Sequence, residues 1–187
     1  DLNHQLGTAI QALSDIGSMG GMFHEHHDGA PLPSGPALQE IIDLCRAIIF
    51  PGFYGNSNLN SRTLGFHIGV DVERLYQLLS EQILAGLCFV QDKDEPVCPV
   101  EKARQLAADF IGRLPELRRI LSTDIEAAYN GDPAATSRGE IISCYPVIKA
   151  VTNYRIAHEL LLQGVPLIPR IITEMAHSET GIDIHPE

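Results

Sequence analysis

The chain has 187 residues, 44% of them hydrophobic and 20% charged, which is typical of a folded globular protein. Its 24 acidic and 13 basic residues give a formal net charge of −11, which argues against nucleic acid as a partner because like charges repel. The sequence has no run of eighteen apolar residues and no basic leader before an apolar segment, so it predicts no membrane partner.

Helical spacing of apolar residues dominates the first half of the chain. A first helix is predicted over 2–16, and a loop rich in Gly and Pro follows over 17–35. Pro36 suits the first turn of a second helix, where its missing N–H has no helical partner, and Pro51 ends that helix. A long third helix is predicted over 62–88.

Prolines punctuate the helical stretch that follows. Pro99 starts a helix that we expect to stop at Pro115, because proline lacks a donor and crowds the preceding turn. A new helix is predicted after it, ending at Gly131, where glycine accepts a left-handed conformation. A further helix is predicted over 134–162, and Pro146 should bend or split it.

The pattern changes near the end of the sequence. A last helix is predicted over 167–177. From Gly181 onward the residues alternate, with Ile182 and Ile184 on one side and Asp183 on the other, which predicts a strand. The sequence therefore predicts an all-α fold that ends in a single strand.

The four cysteines are Cys45, Cys88, Cys98 and Cys144, and no two of them form a Cys-x-x-Cys pair. This scattered arrangement favours four buried thiols in a reducing compartment. A disulfide between Cys88 and Cys98 is conceivable, but no pattern supports it.

The segment His24-Glu25-His26-His27-Asp28 contains the His-x-His spacing of two potential metal ligands. It lies in a loop flanked by Gly and Pro, where no helix fixes the imidazoles on one face. Mobile histidines rarely preorganise a site, so we expect no metal here.

Three short motifs lie in the last third of the chain: Asp132-Pro133-Ala134, Tyr154-Arg155-Ile156-Ala157-His158 and Asp183-Ile184-His185-Pro186. Together and in this order they resemble the serine acetyltransferase family. The resemblance implies an all-α, multi-helix N-terminal domain over 1–180, with roles in oligomerisation and in the serine site. It also implies that 181–187 begin a hexapeptide-repeat catalytic domain, the first strand of a left-handed parallel β-helix that the chain does not include.

The resemblance further implies an activity and its partners. Family members transfer acetyl from acetyl-CoA, as a co-substrate, to L-serine in the cytoplasm for cysteine biosynthesis, with no tightly bound cofactor. They form homo-oligomers (trimers that pair as dimers of trimers), and L-cysteine is a feedback inhibitor. A C-terminal tail binds O-acetylserine sulfhydrylase. We expect this chain alone to be inactive.

Asp132 is the first candidate site residue. As a carboxylate before Pro133 it could simply cap the next helix. The resemblance instead implies that Asp132 binds the ammonium group of serine. A fixed carboxylate selects an amino group by both charge and position.

Asp183 is the second candidate site residue. The resemblance implies that Asp183 orients a catalytic histidine, which we expect beyond residue 187. A carboxylate in that place fixes the tautomer of the imidazole and stabilises its charged form while it removes a hydroxyl proton.

Two histidines near these carboxylates are predicted to have packing roles. His158 shares the apolar face of its predicted helix, and apolar stripes usually face a core. His185 precedes Pro186 at the start of the predicted strand.

Two alternative functions remain open at the level of sequence. One is a β-helix acyltransferase that acts on another acceptor, and the other is a non-enzymatic helical oligomerisation domain in which Asp132 is only a cap. The sequence contains no Gly-x-Ser-x-Gly motif, so it does not indicate a serine nucleophile.

Overall fold

The computed structural model describes residues 1–26, 30–91, 94–95 and 98–187. The described residues form these helices: α1 (Leu2–Leu13), α2 (Gly35–Ile49), α3 (Leu64–Val90), α4 (Val100–Gly131), α5 (Arg138–Cys144), α6 (Pro146–Leu162) and α7 (Ile168–Thr180), with a 3₁₀ turn at Ile16–Met19. No strand occurs within the described residues, which confirms the predicted all-α fold. None of the helices in this part of the chain combines the length and apolar content needed to span a bilayer.

The core lies mainly between helices that are neighbours in sequence. Helix α3 packs against α2 and α4, and α4 also contacts α5 and α6. Helices α6 and α7 pack closely as a hairpin joined by residues 163–167. The largest fully buried side chains are Leu38, Ile41, Ile42, Leu75, Leu79, Ile83, Phe110, Leu121, Ile141, Ile156, Leu160 and Ile168. Burial of each such side chain stabilises the fold by roughly 1.5–3 kcal/mol.

Helix α1 is shorter than predicted, because it ends at Leu13 and a separate 3₁₀ turn follows. It buries none of its residues. Leu2, Leu6, Ile10 and Leu13 recur at helical spacing, and all of them are exposed. Asp1 caps the helix, because its side chain accepts a hydrogen bond from the N–H of Asn3.

The predicted break at Pro115 is wrong, because α4 is continuous from Val100 to Gly131. Pro115 lies on the exposed side of the helix, and the buried Leu114 and Leu117 flank it. An interior proline costs about 3 kcal/mol. The burial of one apolar stripe along the whole helix outweighs that cost.

The predicted effect of Pro146 is confirmed. It separates α5 from α6 and occupies the first position of α6, where no intrahelical hydrogen bond is lost. Residue Tyr145 between the two helices is extended, with φ −82° and ψ 117°, as expected for a residue that precedes proline.

The predicted strand after Gly181 does not form in the described residues. Gly181 ends α7 in a left-handed conformation (φ 73°), and residues 182–187 have no regular secondary structure. A strand needs a neighbour for its backbone hydrogen bonds, and no described segment pairs with these residues.

The expectation of four buried free thiols is wrong. Cys88 at the end of α3 and Cys98 just before α4 form a disulfide, with Cα atoms 5.8 Å apart. Cys144 is a free and exposed thiol, and only Cys45 is both free and buried. Burial raises the pKa of Cys45 to about 12, so its thiol stays protonated and unreactive at neutral pH.

Candidate functional site

Asp132 lies in the tight turn that follows α4. Its Oδ1 accepts a hydrogen bond of 2.9 Å from the N–H of Ala134, and its carbonyl accepts one of 3.1 Å from Ala135. The next helix starts at Arg138, later than predicted, and its cap is Ser137. Asp132 therefore does not cap that helix, and its carboxylate is half-buried at the surface.

Tyr145 holds the second oxygen of this carboxylate. Its hydroxyl donates a hydrogen bond to Oδ2 of Asp132. This bond, with a smaller contribution from the Ala134 N–H, holds the pKa of Asp132 below its usual value. The same bond raises the pKa of Tyr145 to about 12. The carboxylate is therefore ionised at neutral pH and fixed by a donor on each oxygen.

The turn around Asp132 is anchored at its far end by charged groups. Glu140 Oε2 accepts hydrogen bonds of 2.6 Å from both the N–H and the hydroxyl of Thr136. Arg138 donates two hydrogen bonds to Glu126 on α4, of 2.6 and 2.9 Å, and lies over the ring of Tyr129. A bidentate pair fixes orientation as well as distance, so these contacts hold α5 against α4.

Asp183 is exposed and lies three residues after the end of α7. The Nδ1 of His177 lies 3.9 Å from its Oδ1, which is beyond hydrogen-bond distance. No histidine of the described residues hydrogen-bonds to Asp183. The hydroxyl of Thr180 accepts the N–H of Ile182 at 3.1 Å and so fixes the backbone that leads to Asp183.

The two candidate carboxylates are not in contact, and no hydrogen bond or ion pair joins them within the described residues. Neither of them lines the cavity of about 140 Å³ between α5, α6 and the end of α7. The lining of this cavity includes Tyr145, the partner of Asp132, and Thr180, which fixes the backbone before Asp183.

A buried charge network fixes the end of α7 beside this cavity. Arg46 on α2 is only 4% exposed, and its Nη2 donates to Asn153 Oδ1 (2.9 Å) and to Glu179 Oε2 (3.0 Å). Lys149 donates to the other oxygen of Glu179 at 2.9 Å. Burial alone would raise the pKa of Glu179, but the hydrogen bonds from Lys149 and Arg46 outweigh it and lower that pKa.

The segment after Asp183 packs on the last two helices through the predicted packing histidines. His158 on α6 donates from Nδ1 to the carbonyl of Pro186 at 2.8 Å, since a carbonyl can only accept. Arg170 on α7 donates to Nδ1 of His185 at 2.7 Å. His158 is half-buried and makes one hydrogen bond, as predicted for a packed histidine, whereas His185 is exposed and bonds to Arg170 at the surface, so its structural role stays a prediction.

A groove larger than this cavity does not coincide with the candidate carboxylates. It has a volume of about 620 Å³ and lies between the end of α2, α4 and α5. Its arginines already have partners: Arg138 pairs with Glu126, and Arg118 donates to the carbonyl of Ile48. The groove therefore offers an apolar wall, and its one lining carboxylate, Glu126, is already paired through both oxygens with Arg138.

The possible metal ligands of the 24–28 segment lie only partly within the described residues, because His27 and Asp28 are outside them. The rings of His24 and His26 are 5.1 Å apart, and His24 also contacts Phe89. Among the described residues, no group of three or more His, Cys, Asp or Glu side chains could hold a metal ion.

Sequence reasoning missed Tyr145, although one signal was present. The Tyr145-Pro146 pair fixes an extended residue at the break between two helices. What the sequence did not indicate is that the short α5 brings this residue back to the turn at Asp132.

The known proteins compared with this chain below are named serine acetyltransferase. This chain is 43% identical over 161 residues to "Serine acetyltransferase, plasmid" of Synechococcus elongatus. The match covers 83% of this chain and 50% of that protein. The chain is similar to native serine acetyltransferase 1 of Entamoeba histolytica, with TM-score 0.64 and 30% identity over 98% of this chain and 60% of that one. The structure of E. histolytica serine acetyltransferase 1 in complex with L-cysteine matches this chain with TM-score 0.64 and 34% identity. That match covers 79% of this chain and 49% of the other. No protein-family model matches the chain.

The shared helical fold and these identities place the chain among acetyltransferases that contain a helical domain. It belongs to the serine acetyltransferase family, which confirms the resemblance of its three motifs. The chain spans about half the length of its curated relative from Synechococcus elongatus.

Proposed function

We propose that the intact protein transfers the acetyl group of acetyl-CoA to the hydroxyl of L-serine, giving O-acetylserine for cysteine biosynthesis. The observation that carries this proposal is the 43% identity over 161 residues to a serine acetyltransferase. In this proposal residues 1–180 are the helical N-terminal domain, and 181–187 begin the catalytic domain.

Asp132 binds the ammonium group of L-serine in this proposal. Its carboxylate is ionised, since its pKa lies below the usual value, and it is accessible at the surface. An ionised carboxylate that is already oriented by protein donors loses little freedom when it binds an ammonium group. The alternative role as a helix cap is disfavoured, because Ser137 caps α5.

Asp183 orients the general-base histidine, which we place in the adjoining catalytic domain. The histidine removes the proton of the serine hydroxyl, and the hydroxyl oxygen attacks the thioester carbonyl of acetyl-CoA. The carbon–sulfur bond then breaks, and the CoA thiolate leaves and takes up a proton. Asp183 stabilises the imidazolium that forms during the attack. Its exposed position at the end of α7 leaves it free for such a partner.

The proposal includes the assembly and regulation of the intact protein. We expect homo-oligomers (trimers and dimers of trimers) in the cytoplasm, and contact with O-acetylserine sulfhydrylase through a C-terminal tail. L-Cysteine is proposed as a feedback inhibitor at the serine site. A structure of E. histolytica serine acetyltransferase 1 in complex with L-cysteine supports this part of the proposal.

The test is an acetyl-transfer assay on the intact protein. Release of the CoA thiol is followed with L-serine, L-homoserine and a hexose as acceptors, for the wild type and for Asp132→Asn. We expect L-serine to be the preferred acceptor, and Asp132→Asn to raise its KM about tenfold to a hundredfold, the range for a lost hydrogen bond to a charged group. Preferred acetylation of the hexose would show that the protein is an acyltransferase for another acceptor.

A further inference from the structure

We propose that Tyr145 is a positioning residue for the amino-acid acceptor, because its hydroxyl holds one oxygen of Asp132 and leaves the carboxylate turned toward an incoming ammonium group. This inference rests on the proposed function, in which Asp132 binds L-serine. It goes beyond that function by assigning a role to a residue outside the three motifs.

The hydrogen bonds of Asp132 carry the argument. One oxygen accepts the N–H of Ala134, and the other accepts the hydroxyl of Tyr145. A carboxylate has about four acceptor positions, two on each oxygen. The protein therefore occupies one position on each oxygen and leaves one on each for a ligand. An ammonium group has three donors, so it can bind both of the remaining positions.

The backbone of Tyr145 is held firmly enough for this role. Pro146 restricts Tyr145 to an extended conformation, and the Tyr145 N–H donates to the carbonyl of Ile141 at 3.0 Å. The Tyr145 carbonyl accepts the N–H of Ile148 at 3.1 Å. The residue is therefore tied to α5 on one side and to α6 on the other. A side chain on such a fixed backbone can orient its partner within tight limits.

The Tyr145 hydroxyl also favours the charged form of Asp132. It donates a hydrogen bond to the carboxylate and so lowers the pKa of Asp132. A hydrogen bond to an ionised acceptor is stronger than one between neutral groups. Loss of the hydroxyl should therefore both loosen the carboxylate and raise its pKa toward the usual value.

Tyr54 provides a matched control for this role. Its hydroxyl donates to the carbonyl of Ile142 at 2.9 Å, and its ring lines the same cavity of about 140 Å³ as Tyr145. Tyr54→Phe and Tyr145→Phe each remove one hydroxyl that donates a hydrogen bond in the same region. Only Tyr145→Phe removes a contact with Asp132.

The test compares steady-state kinetics of the intact wild type with those of Tyr145→Phe, Tyr54→Phe and Asp132→Asn. We expect Tyr145→Phe to raise the KM for L-serine about tenfold, as for loss of one hydrogen bond to a charged group. The KM for acetyl-CoA and kcat should stay within about twofold of the wild type, since the hydroxyl contacts neither the thioester nor the base. Tyr54→Phe should leave all three values unchanged.

A second readout is independent of turnover. With ¹³C-labelled aspartate, the carboxyl carbon signal of Asp132 is assigned from its absence in Asp132→Asn, and its pKa is then titrated. That pKa should rise toward its usual value in Tyr145→Phe and stay unchanged in Tyr54→Phe. A structural effect of either substitution would not move this pKa selectively.

The outcomes separate the two proposals. If Asp132→Asn raises the KM for L-serine but Tyr145→Phe changes neither that KM nor the Asp132 pKa, the role of Tyr145 is wrong and the serine site stands. If Asp132→Asn leaves the KM for L-serine unchanged, both proposals are overturned. An equal rise in KM for Tyr54→Phe and Tyr145→Phe would also overturn the role of Tyr145.

Discussion

The buried charge network at the end of α7 should respond asymmetrically to loss of its two main partners. Arg46 is 4% exposed, whereas the Glu179 side chain is 36% exposed. Removing Glu179 leaves a buried guanidinium with Asn153 as its remaining acceptor, and the Nε of Arg46 already has no partner. Removing Arg46 leaves Glu179 with Lys149 and solvent. We therefore expect Glu179→Ala to destabilise the fold more than Arg46→Met.

The magnitude follows from the exposure of the two side chains. Loss of one partner from a fully buried ion pair costs about 3–5 kcal/mol. Solvent reaches Glu179, and Asn153 still accepts from Arg46, so screening and this bond reduce the cost of Glu179→Ala to about 2 kcal/mol. Arg46→Met removes the buried charge itself and fills the space with an apolar chain, and the main remaining cost is the lost hydrogen bond to the buried Asn153 Oδ1, so we expect a change of about 1 kcal/mol.

The assay is urea unfolding at pH 7, followed by circular dichroism, on the wild type and both variants. For a protein of this size, Glu179→Ala should also lower Tm by about 4–8 °C. Glu116→Ala is the control, because the Glu116–Arg119 pair lies on the surface of α4 and such pairs contribute little. A greater loss of stability for Arg46→Met than for Glu179→Ala would refute the reasoning.

The remaining predictions concern pH and backbone packing. The pKa of Glu179 is lower in the folded protein than in the unfolded chain, so its stabilising effect is present above pH 5 or so and is lost as pH falls through the folded pKa. The difference in unfolding free energy between the wild type and Glu179→Gln should therefore shrink below about pH 4. Gly86→Ala should destabilise the fold by about 1–3 kcal/mol, because the new Cβ would lie 2.9 Å from the carbonyl oxygen of Pro166. Gly112→Ala should stabilise the fold by up to about 1 kcal/mol, because nothing lies within 4 Å of its new Cβ. Equal effects of the two substitutions in urea unfolding would contradict this prediction. Pro115→Ala should stabilise α4 by about 1–3 kcal/mol, because it restores a helical hydrogen bond at an exposed position, and an unchanged urea midpoint would contradict the stated cost of this proline.

Two prolines illustrate what the sequence could predict about the fold. Pro146 and Pro115 would carry the same penalty in a helix interior, yet of these two only Pro146 separates two helices. Apolar residues continue at helical spacing across Pro115, so burial of the whole face keeps α4 in one piece. Local rules therefore predict where a helix can end, and the packing of its apolar face determines whether it does.

The candidate site was predictable only in part. Asp132 and Asp183 follow from family resemblance, and their roles stay predictions. The contact between Tyr145 and Asp132 depends on how the short α5 packs against α4, and residue spacing does not encode that packing. The alternation after Gly181 predicted a strand, but a strand needs a partner, and the described residues supply none.

The disulfide shows the same limit for a covalent contact. Cys88 and Cys98 are ten residues apart and lie at the facing ends of α3 and α4. Because the two helices pack against each other, their adjoining ends lie close enough for the cysteines to bond. No Cys-x-x-Cys pattern signals this geometry in the sequence.

The central claim is that the carboxylate of Asp132 recognises an amino group. The most direct measurement compares kcat/KM for L-serine and for 3-hydroxypropanoate, which lacks the ammonium group, in the intact wild type and in Asp132→Asn. We expect the wild-type preference for L-serine to fall about tenfold to a hundredfold in the variant, with an unchanged KM for acetyl-CoA. A preference that is the same in both proteins would contradict the account.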